Sequence, residues 1–565
     1  MLVKNEEIKL TLFADDMTCF LNDINSYLQL CRLLEDFYKY SGLRINNDKT
    51  ELFAIGSIKL AQHDFIHNVR TSIKILGTFF DHHKPLRNKA NFESIFKSIQ
   101  RTLNMWKWRG LTLLGKIQIV KTFIIPKFLS KAALISVSND LIKEINKLIY
   151  GFIWKGNDKI KRSALINDID NGGLKMLDLE SMISAQRVMA LKKYFADGNS
   201  SWKTILDEFL CNVGGKFILF CDFDNRKLPA YIPAFYKECL DAWSELKNSN
   251  VVSYEDVIDQ IIWNNKNIVV DKQSLFEKHL FFQGIVKIGD LLSNTGKFLQ
   301  SSKVLRANLS PTQYFKLIGV VDAIPIAWRL IIKQSQTSQH FHSSFLGDKI
   351  YIELDETEID LSKVTSKLLY NKFKTKKQTP PSAQSKMKNK YPQLVVEWKK
   401  IYSLPFTVTV ETKLREFQYK ILNDIVYTND KLFRFKMIES PLCTFCQKED
   451  ESLEHLLFHC TITKNFWLSF LSWISEQNIS METLTLIHIL FGVFNDNEDF
   501  AILNHLILIA KYFIYKCKLN KTKPTLRVFI EKIKLVYHIE KKIAKRNDRL
   551  QKHYKKWEKI LPLLY

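Results

Sequence analysis

The chain is predicted to be an α+β protein: a short strand-rich N-terminal segment, then mainly helical regions that carry a small metal-binding segment. Three observations predict this. Short β-prone runs crowd the first 85 of its 565 residues. Apolar residues then recur at helical spacing over long stretches. A compact group of cysteines and a histidine at 443–460 interrupts the last helical region.

Within 1–85, β-type runs at 8–13, 17–21, 50–55 and 73–80 surround one helix at 24–40. In that helix Leu28, Cys31, Leu34, Glu35 and Tyr38 fall at helical intervals, and Gly42 follows as a C-terminal stop. From 86 to 200 the pattern is helical. Phe92, Ile95, Phe96, Ile99, Leu103 and Trp106 share a face, as do Leu114, Ile117, Val120 and Ile124, with turn-like breaks at Gly110, Pro126 and Gly172-Gly173. Residues 201–373 form a mixed, mainly helical middle without a readable motif. Residues 374–392 (KTKKQTPPSAQSKMKNKYP) are rich in Lys, Pro and Ser and are predicted to be a flexible basic linker. Residues 393–565 are again helical and hold the Cys/His group.

Charge narrows the class of partner. Lys and Arg number 83 against 59 Asp and Glu, a net charge of +24. An excess of that size in a chain with 46% hydrophobic residues points to a polyanion, either nucleic acid or an anionic membrane surface. The most apolar stretch, 315–332, is broken by Asp322, Pro325 and Arg329 and does not read as a membrane span. The first residues become charged at once, and nine cysteines are scattered over the chain. Both features point to a reduced compartment, cytoplasm or nucleus, and against a membrane partner.

The sharpest local feature is Lys9-Leu10-Thr11-Leu12-Phe13-Ala14-Asp15-Asp16-Met17-Thr18-Cys19-Phe20-Leu21. Two β-prone runs flank two acids, which predicts a hairpin with Asp15 and Asp16 at its tip. Asp is a common turn residue without any function. Two adjacent carboxylates on a rigid hairpin can also hold Mg²⁺, as nucleotidyl transfer requires, with two ions stabilising the attacking and leaving oxygens.

The second feature is Cys443-x2-Cys446-x8-His455-x4-Cys460. Thiolates and an imidazole at short paired spacings suit tetrahedral Zn²⁺. The alternative is that the cysteines are small buried hydrophobes and His455 a core residue. His459 is a second candidate ligand, disfavoured by its position next to Cys460.

The order of motifs resembles reverse transcriptases of LINE (non-LTR) retrotransposons. Phe13-Ala14-Asp15-Asp16 is similar to their catalytic hairpin. Gly42-Leu43-Arg44-Ile45-Asn46 leading to Lys49 looks like the next palm motif, and Ile73-Lys74-Ile75-Leu76-Gly77-Thr78-Phe79 looks like the primer-grip hairpin. Trp108-Arg109-Gly110-Leu111 onward, Phe152-Ile153-Trp154-Lys155-Gly156 and Asn171-Gly172-Gly173-Leu174 resemble landmarks of the thumb. The segment 414–422, the Cys pair, Glu454-His455-Leu456 and Phe466-Trp467 resemble the family's C-terminal Cys-Cys-His-Cys region.

The resemblance implies a partial palm at 1–85 and a thumb at 86–200, with an RNA template and a DNA target or primer as partners. It implies that Asp15 and Asp16 are Mg²⁺ ligands, that Lys49 lies near the pyrophosphate as a possible general acid, and that Leu76-Gly77 press on the primer. On the thumb, Lys116, Lys121, Lys155, Lys159, Lys161 and Arg162 would track a phosphate backbone. At the C-terminus, 540–557 carries eight Lys or Arg against two acids, and Lys541, Lys542, Lys545 and Arg546 are candidate phosphate contacts. The family's third palm acid and its fingers have no counterpart in the fourteen residues before Asp15. The expectation is therefore a truncated RNA-directed DNA polymerase that binds RNA and DNA but does not polymerise alone. The alternative is a non-enzymatic, zinc-containing nucleic-acid-binding protein derived from such an element.

Overall fold

The computed structural model describes residues 2–3, 6–55, 68–198, 200–247, 251–293, 298, 309–334, 350–354, 357–394, 397–477, 479, 481–494 and 500–563. It is mainly helical, with its strands in small pairs, as an α+β reading requires. Contacts divide it into two units interleaved along the sequence. One comprises Met1–Arg101, Pro126–Lys143 and Leu179–Lys376; the other comprises Thr102–Ile125, Glu144–Asp178 and Lys377–Tyr565. The region 86–200, expected as one helical domain, is thus shared between them.

In the first unit, the N-terminal strands form separate two-stranded sheets and do not join into a larger one among the described residues. Leu10–Phe13 pairs antiparallel with Asp16–Cys19, and Ser72–Ile75 with Thr78–Asp81. The helix between them runs Ile24–Ser41. Asp23 caps its start by accepting the Ser26 N–H at 2.7 Å, and Gly42 ends it at φ 72°, where a side chain would be strained. No described side chain before Thr78 is buried. The second hairpin is better anchored: Asn91 on the helix Lys84–Lys107 exchanges hydrogen bonds with the backbone of Phe79, at 2.9 and 2.8 Å.

The core of this unit lies in the middle region. It runs from Ala185 to Phe373 and includes Trp243 and Trp263, whose indole N–H groups donate to the carbonyls of Leu219 and Ile285. Helix Leu179–Phe195 packs on helix Ala234–Ser244. Arg187, 1% exposed, lies on the first of these. It donates to the carbonyls of Ala132 and Ile135 and pairs with Glu238 at 2.7 Å. Only a guanidinium supplies enough donors in one plane for three acceptors there.

In the second unit, helix Ala501–Leu519 is buried around nearly its whole circumference. Helices Trp398–Val408, Thr412–Leu422 and Leu526–Arg546 pack against it. Residues 374–392 are not a flexible linker. Helix Ser366–Lys377 ends before Pro380-Pro381, and helix Ser382–Lys390 begins directly after. Ala383, Met387 and Tyr391 recur at four-residue spacing and are buried, while Lys386, Lys388 and Lys390 face solvent. The bulk composition concealed this stripe. Pro126 is not a break either. A π-helical turn, Val120–Ile124, precedes it, with the Ile125 N–H reaching back five residues to Val120, and helix Ile125–Ala132 follows. The Gly172-Gly173 turn is as expected. Gly172 has φ 77°, and a Cβ on Gly173 would lie 2.1 Å from the Asn167 carbonyl oxygen.

Among the described residues no helix is long and apolar enough to cross a membrane. Residues 315–332 instead fold as parts of two helices, Pro311–Ala323 and Ile326–Gln334.

Replacing Arg187 by Ala should lower stability by about 3 kcal/mol, because two carbonyls and a carboxylate lose their donor in a largely dry site. A lower urea midpoint checks this; an unchanged midpoint would show that other donors take over.

Candidate functional site

The strongest constellation lies in the second unit. Cys443, Cys446, His455 and Cys460 each offer one ligand atom, and these atoms all lie within 4.8 Å of one another. The two cysteines of the pair form a knuckle because the chain turns back on itself. Cys443 N–H donates to Glu449 O at 2.8 Å, Gln447 N–H donates to Cys443 O at 3.0 Å, and Gln447 adopts φ 56°. His455 opens a π-helical turn, His455–His459, and Cys460 leaves it in an extended conformation before helix Thr461–Ser475. That step turns Cys460 back toward the knuckle. His459 is exposed and outside the group.

The distances fit a tetrahedral ion. Cys443 Sγ and Cys460 Sγ are 3.8 Å apart, and Cys446 Sγ is 3.3 Å from His455 Nε2. Ligands bound to Zn²⁺ at about 2.3 Å for sulfur and 2.0–2.1 Å for nitrogen are separated by roughly these lengths. Protonation tells the same story. The Cys443 thiol donates to Cys460, which pulls Cys460 down to about 5 and pushes Cys443 well above the ordinary thiol range. Two sulfurs this close share one proton unless a cation replaces it. Cys443 and Cys460 are fully shielded from solvent and His455 nearly so, while Cys446 is half-buried.

Further residues support the cluster that sequence reasoning missed. Glu449 lies 3.1 Å from His455 Nδ1, so the other ring nitrogen faces the sulfurs. Glu451 has no solvent exposure. It accepts the N–H groups of Asn429 and Thr444 at 3.1 and 2.8 Å and pairs with Lys518 at 2.8 Å. Lys518 also donates to the Tyr427 carbonyl at 3.0 Å. Glu449 and Glu451 sit inside the knuckle loop and were open to notice. Lys518 comes from a distant helix, and no local signal marks it.

Residues 366–467 match the family model of the zinc-binding region in reverse transcriptase. The four ligand candidates all lie inside that span. The chain is therefore reverse transcriptase-related and carries a zinc-type Cys/His site.

The other expected residues are dispersed. Ala14 and Asp15 form the two-residue turn of the first hairpin, with Ala14 at φ 53°, and Asp16 is the first residue of the returning strand, opposite Phe13. Both acids are exposed, and among the described residues no third acid joins them in a metal-holding group. Lys49 is exposed in a turn, its N–H donating to Asn46. Leu76 and Gly77 form the turn of the second hairpin at φ 46° and 77°, and Lys131 donates to the Gly77 carbonyl.

Of the expected phosphate contacts, Lys116 is a correction. It is buried, and its ammonium donates to the carbonyls of Phe152 and Ile153 at 3.0 and 2.6 Å. It thus satisfies the open C-terminal end of helix Asn139–Trp154, and burial lowers its pKa to about 8. Lys121 is half-buried. Lys155, Lys159, Lys161 and Arg162 are exposed; Arg162 pairs with Asp158 at 2.8 Å and lies over the Tyr150 ring. On helix Leu526–Arg546, Lys542, Lys545 and Arg546 are exposed, and Lys541 lies near the rings of Tyr537 and Tyr554.

Purified protein should contain about one zinc per chain, and Cys443→Ser or Cys460→Ser should abolish it. Glu449→Ala should weaken zinc binding about 10- to 100-fold. Elemental analysis and a competing chelator measure both; a zinc-free protein with its fold intact would overturn the assignment.

Proposed function

We propose that this chain is the C-terminal portion of a reverse transcriptase of the LINE (non-LTR) type, with residues of a palm at 1–85 and of a thumb after it. The observation that carries the reading is the four-ligand site within the stretch that matches the zinc-binding region in reverse transcriptase. The order of two tight hairpins supports it, one with Asp15 in its turn and Asp16 opening the returning strand, and one with Leu76 and Gly77 at its turn.

In this reading Asp15 and Asp16 supply carboxylate oxygens for Mg²⁺, which would neutralise charge on a triphosphate and on the attacking oxygen. Lys49 would stand near the leaving pyrophosphate. The chain presents the acid pair on a two-stranded hairpin, and among the described residues no third acid joins it in a metal-holding group. It binds RNA and DNA, and it does not polymerise by itself. The isolated state of that hairpin also favours the second reading, a zinc-containing nucleic-acid-binding protein without enzymatic activity.

Extension of a primed RNA template with Mg²⁺ and deoxynucleotides should be undetectable. Robust extension that is lost in Asp15→Ala would overturn the inactive reading. Nucleic-acid binding should persist and weaken steeply with salt, because each neutralised phosphate releases counterions. The exposed cluster Lys542, Lys545 and Arg546 should contribute. Replacing all three by Ala should lower affinity for a structured RNA and reduce the salt slope by about 2–3. An unchanged slope would make this end of the helix a solvated surface only.

A further inference from the structure

We propose that Tyr427, Phe433, Phe435 and Met437, with Lys159 and Lys436, form a stacking platform for single-stranded nucleic acid. This rests on the nucleic-acid reading above and names the surface and the strand type. The four apolar side chains fall within 427–437 and are 40, 44, 61 and 68% exposed. One exposed aromatic is ordinary; three aromatics and a methionine exposed within eleven residues concentrate apolar surface that water wets poorly.

The backbone explains why they point outward. The short helix Asn429–Arg434 ends in a tight turn. There Lys436 adopts φ 57° and its N–H donates to Phe433 O at 2.8 Å, while Met437 N–H donates to Leu432 O at 2.9 Å. The chain closes on itself there without burying Phe435 or Met437. The other end is clamped to the Cys/His knuckle. Asn429 donates its N–H to Glu451 and its amide to the Leu442 carbonyl, at 3.1 and 2.8 Å. The rings are therefore presented from a fixed base.

Charge selects the occupant. Two acids beside these side chains are already engaged, Asp424 with Lys431 at 2.5 Å and Asp430 with Arg434 at 3.4 Å, which leaves Glu439 as an exposed acid next to Lys436. Lys159 lies over the Tyr427 ring, 4.5 Å from its centroid, and donates to its hydroxyl at 2.6 Å. Lys155 and Lys161 flank it in sequence and are exposed. Exposed rings beside uncompensated positive charge suit unstacked bases on a phosphate backbone. A duplex hides its base faces and cannot use the rings.

The test uses the full chain and fluorescence anisotropy with a labelled unstructured RNA oligonucleotide and a duplex of equal length. Phe433→Ala with Phe435→Ala should weaken single-strand binding tenfold or more, leave duplex binding within twofold and keep the salt slope. Lys159→Ala with Lys436→Ala should instead reduce the single-strand salt slope by about 1.4. Phe435→Ala alone, at the more exposed ring, should lose several-fold in affinity with zinc content and urea midpoint unchanged, which separates stacking from misfolding. The platform is overturned if the double Phe variant binds the single strand like wild type, or if it loses single strand and duplex equally. A platform that binds anionic vesicles and not the oligonucleotide would also overturn it. If wild type binds no nucleic acid at all, the broader reading fails with it; if wild type binds and only the Phe variants are silent, this inference alone fails.

Discussion

Three thiols and an imidazole converge in a largely buried site, and a carboxylate with no exposure sits beside them. Neither arrangement is stable by itself. Sulfurs 3.8 Å apart cannot both be thiolates without a cation, and the buried oxygens of Glu451 need donors. The structure meets both needs in one place. The geometry suits a zinc ion for the first, and Lys518 with two backbone N–H groups answers the second. Because Lys518 belongs to the buried helix Ala501–Leu519, the same contacts join the knuckle to the core of its unit. A loop too short to hold a core of its own is thereby made rigid.

That rigidity gives the polar residues around the knuckle their meaning. Asn429, Glu449 and Glu451 are not ligand candidates; they set where the ligands and the neighbouring short helix stand. Lys116 plays a similar part elsewhere in the unit. Taken as a phosphate contact it would be one charge among many, but its ammonium completes the end of a helix. A strongly basic chain spends part of its lysine on internal carbonyls, so charge counts overstate the surface open to a polyanion. Exposed basic residues include the strip 155–162, the end of helix Leu526–Arg546 and Lys436 beside the aromatic run at 427–437.

The N-terminal segment shows the opposite balance. Its hairpins and its helix form with well-matched caps and turns, yet no described side chain before Thr78 is buried. Local rules suffice to shape these elements, and among the described residues the strands stay in separate pairs. The acid pair stands on an exposed hairpin, and among the described residues no further acid joins it in a metal-holding group.

What the sequence determined by itself was local. Gly42 stops its helix, Asp15 and Leu76-Gly77 sit in two-residue turns, and the spacing of Cys443, Cys446, His455 and Cys460 suits a tetrahedral site, because each depends on residues within one or two turns of chain. Only the tertiary structure decided the rest. The stripe of Ala383, Met387 and Tyr391 was hidden inside a Lys-rich composition, and it becomes a helix face only when a core is there to receive it. Arg187, Lys116 and the Glu451–Lys518 pair look like surface charge in sequence. Their roles arise where distant segments bring carbonyls and carboxylates together away from water, and the cost of leaving such groups unpaired is a long-range constraint that no local pattern records.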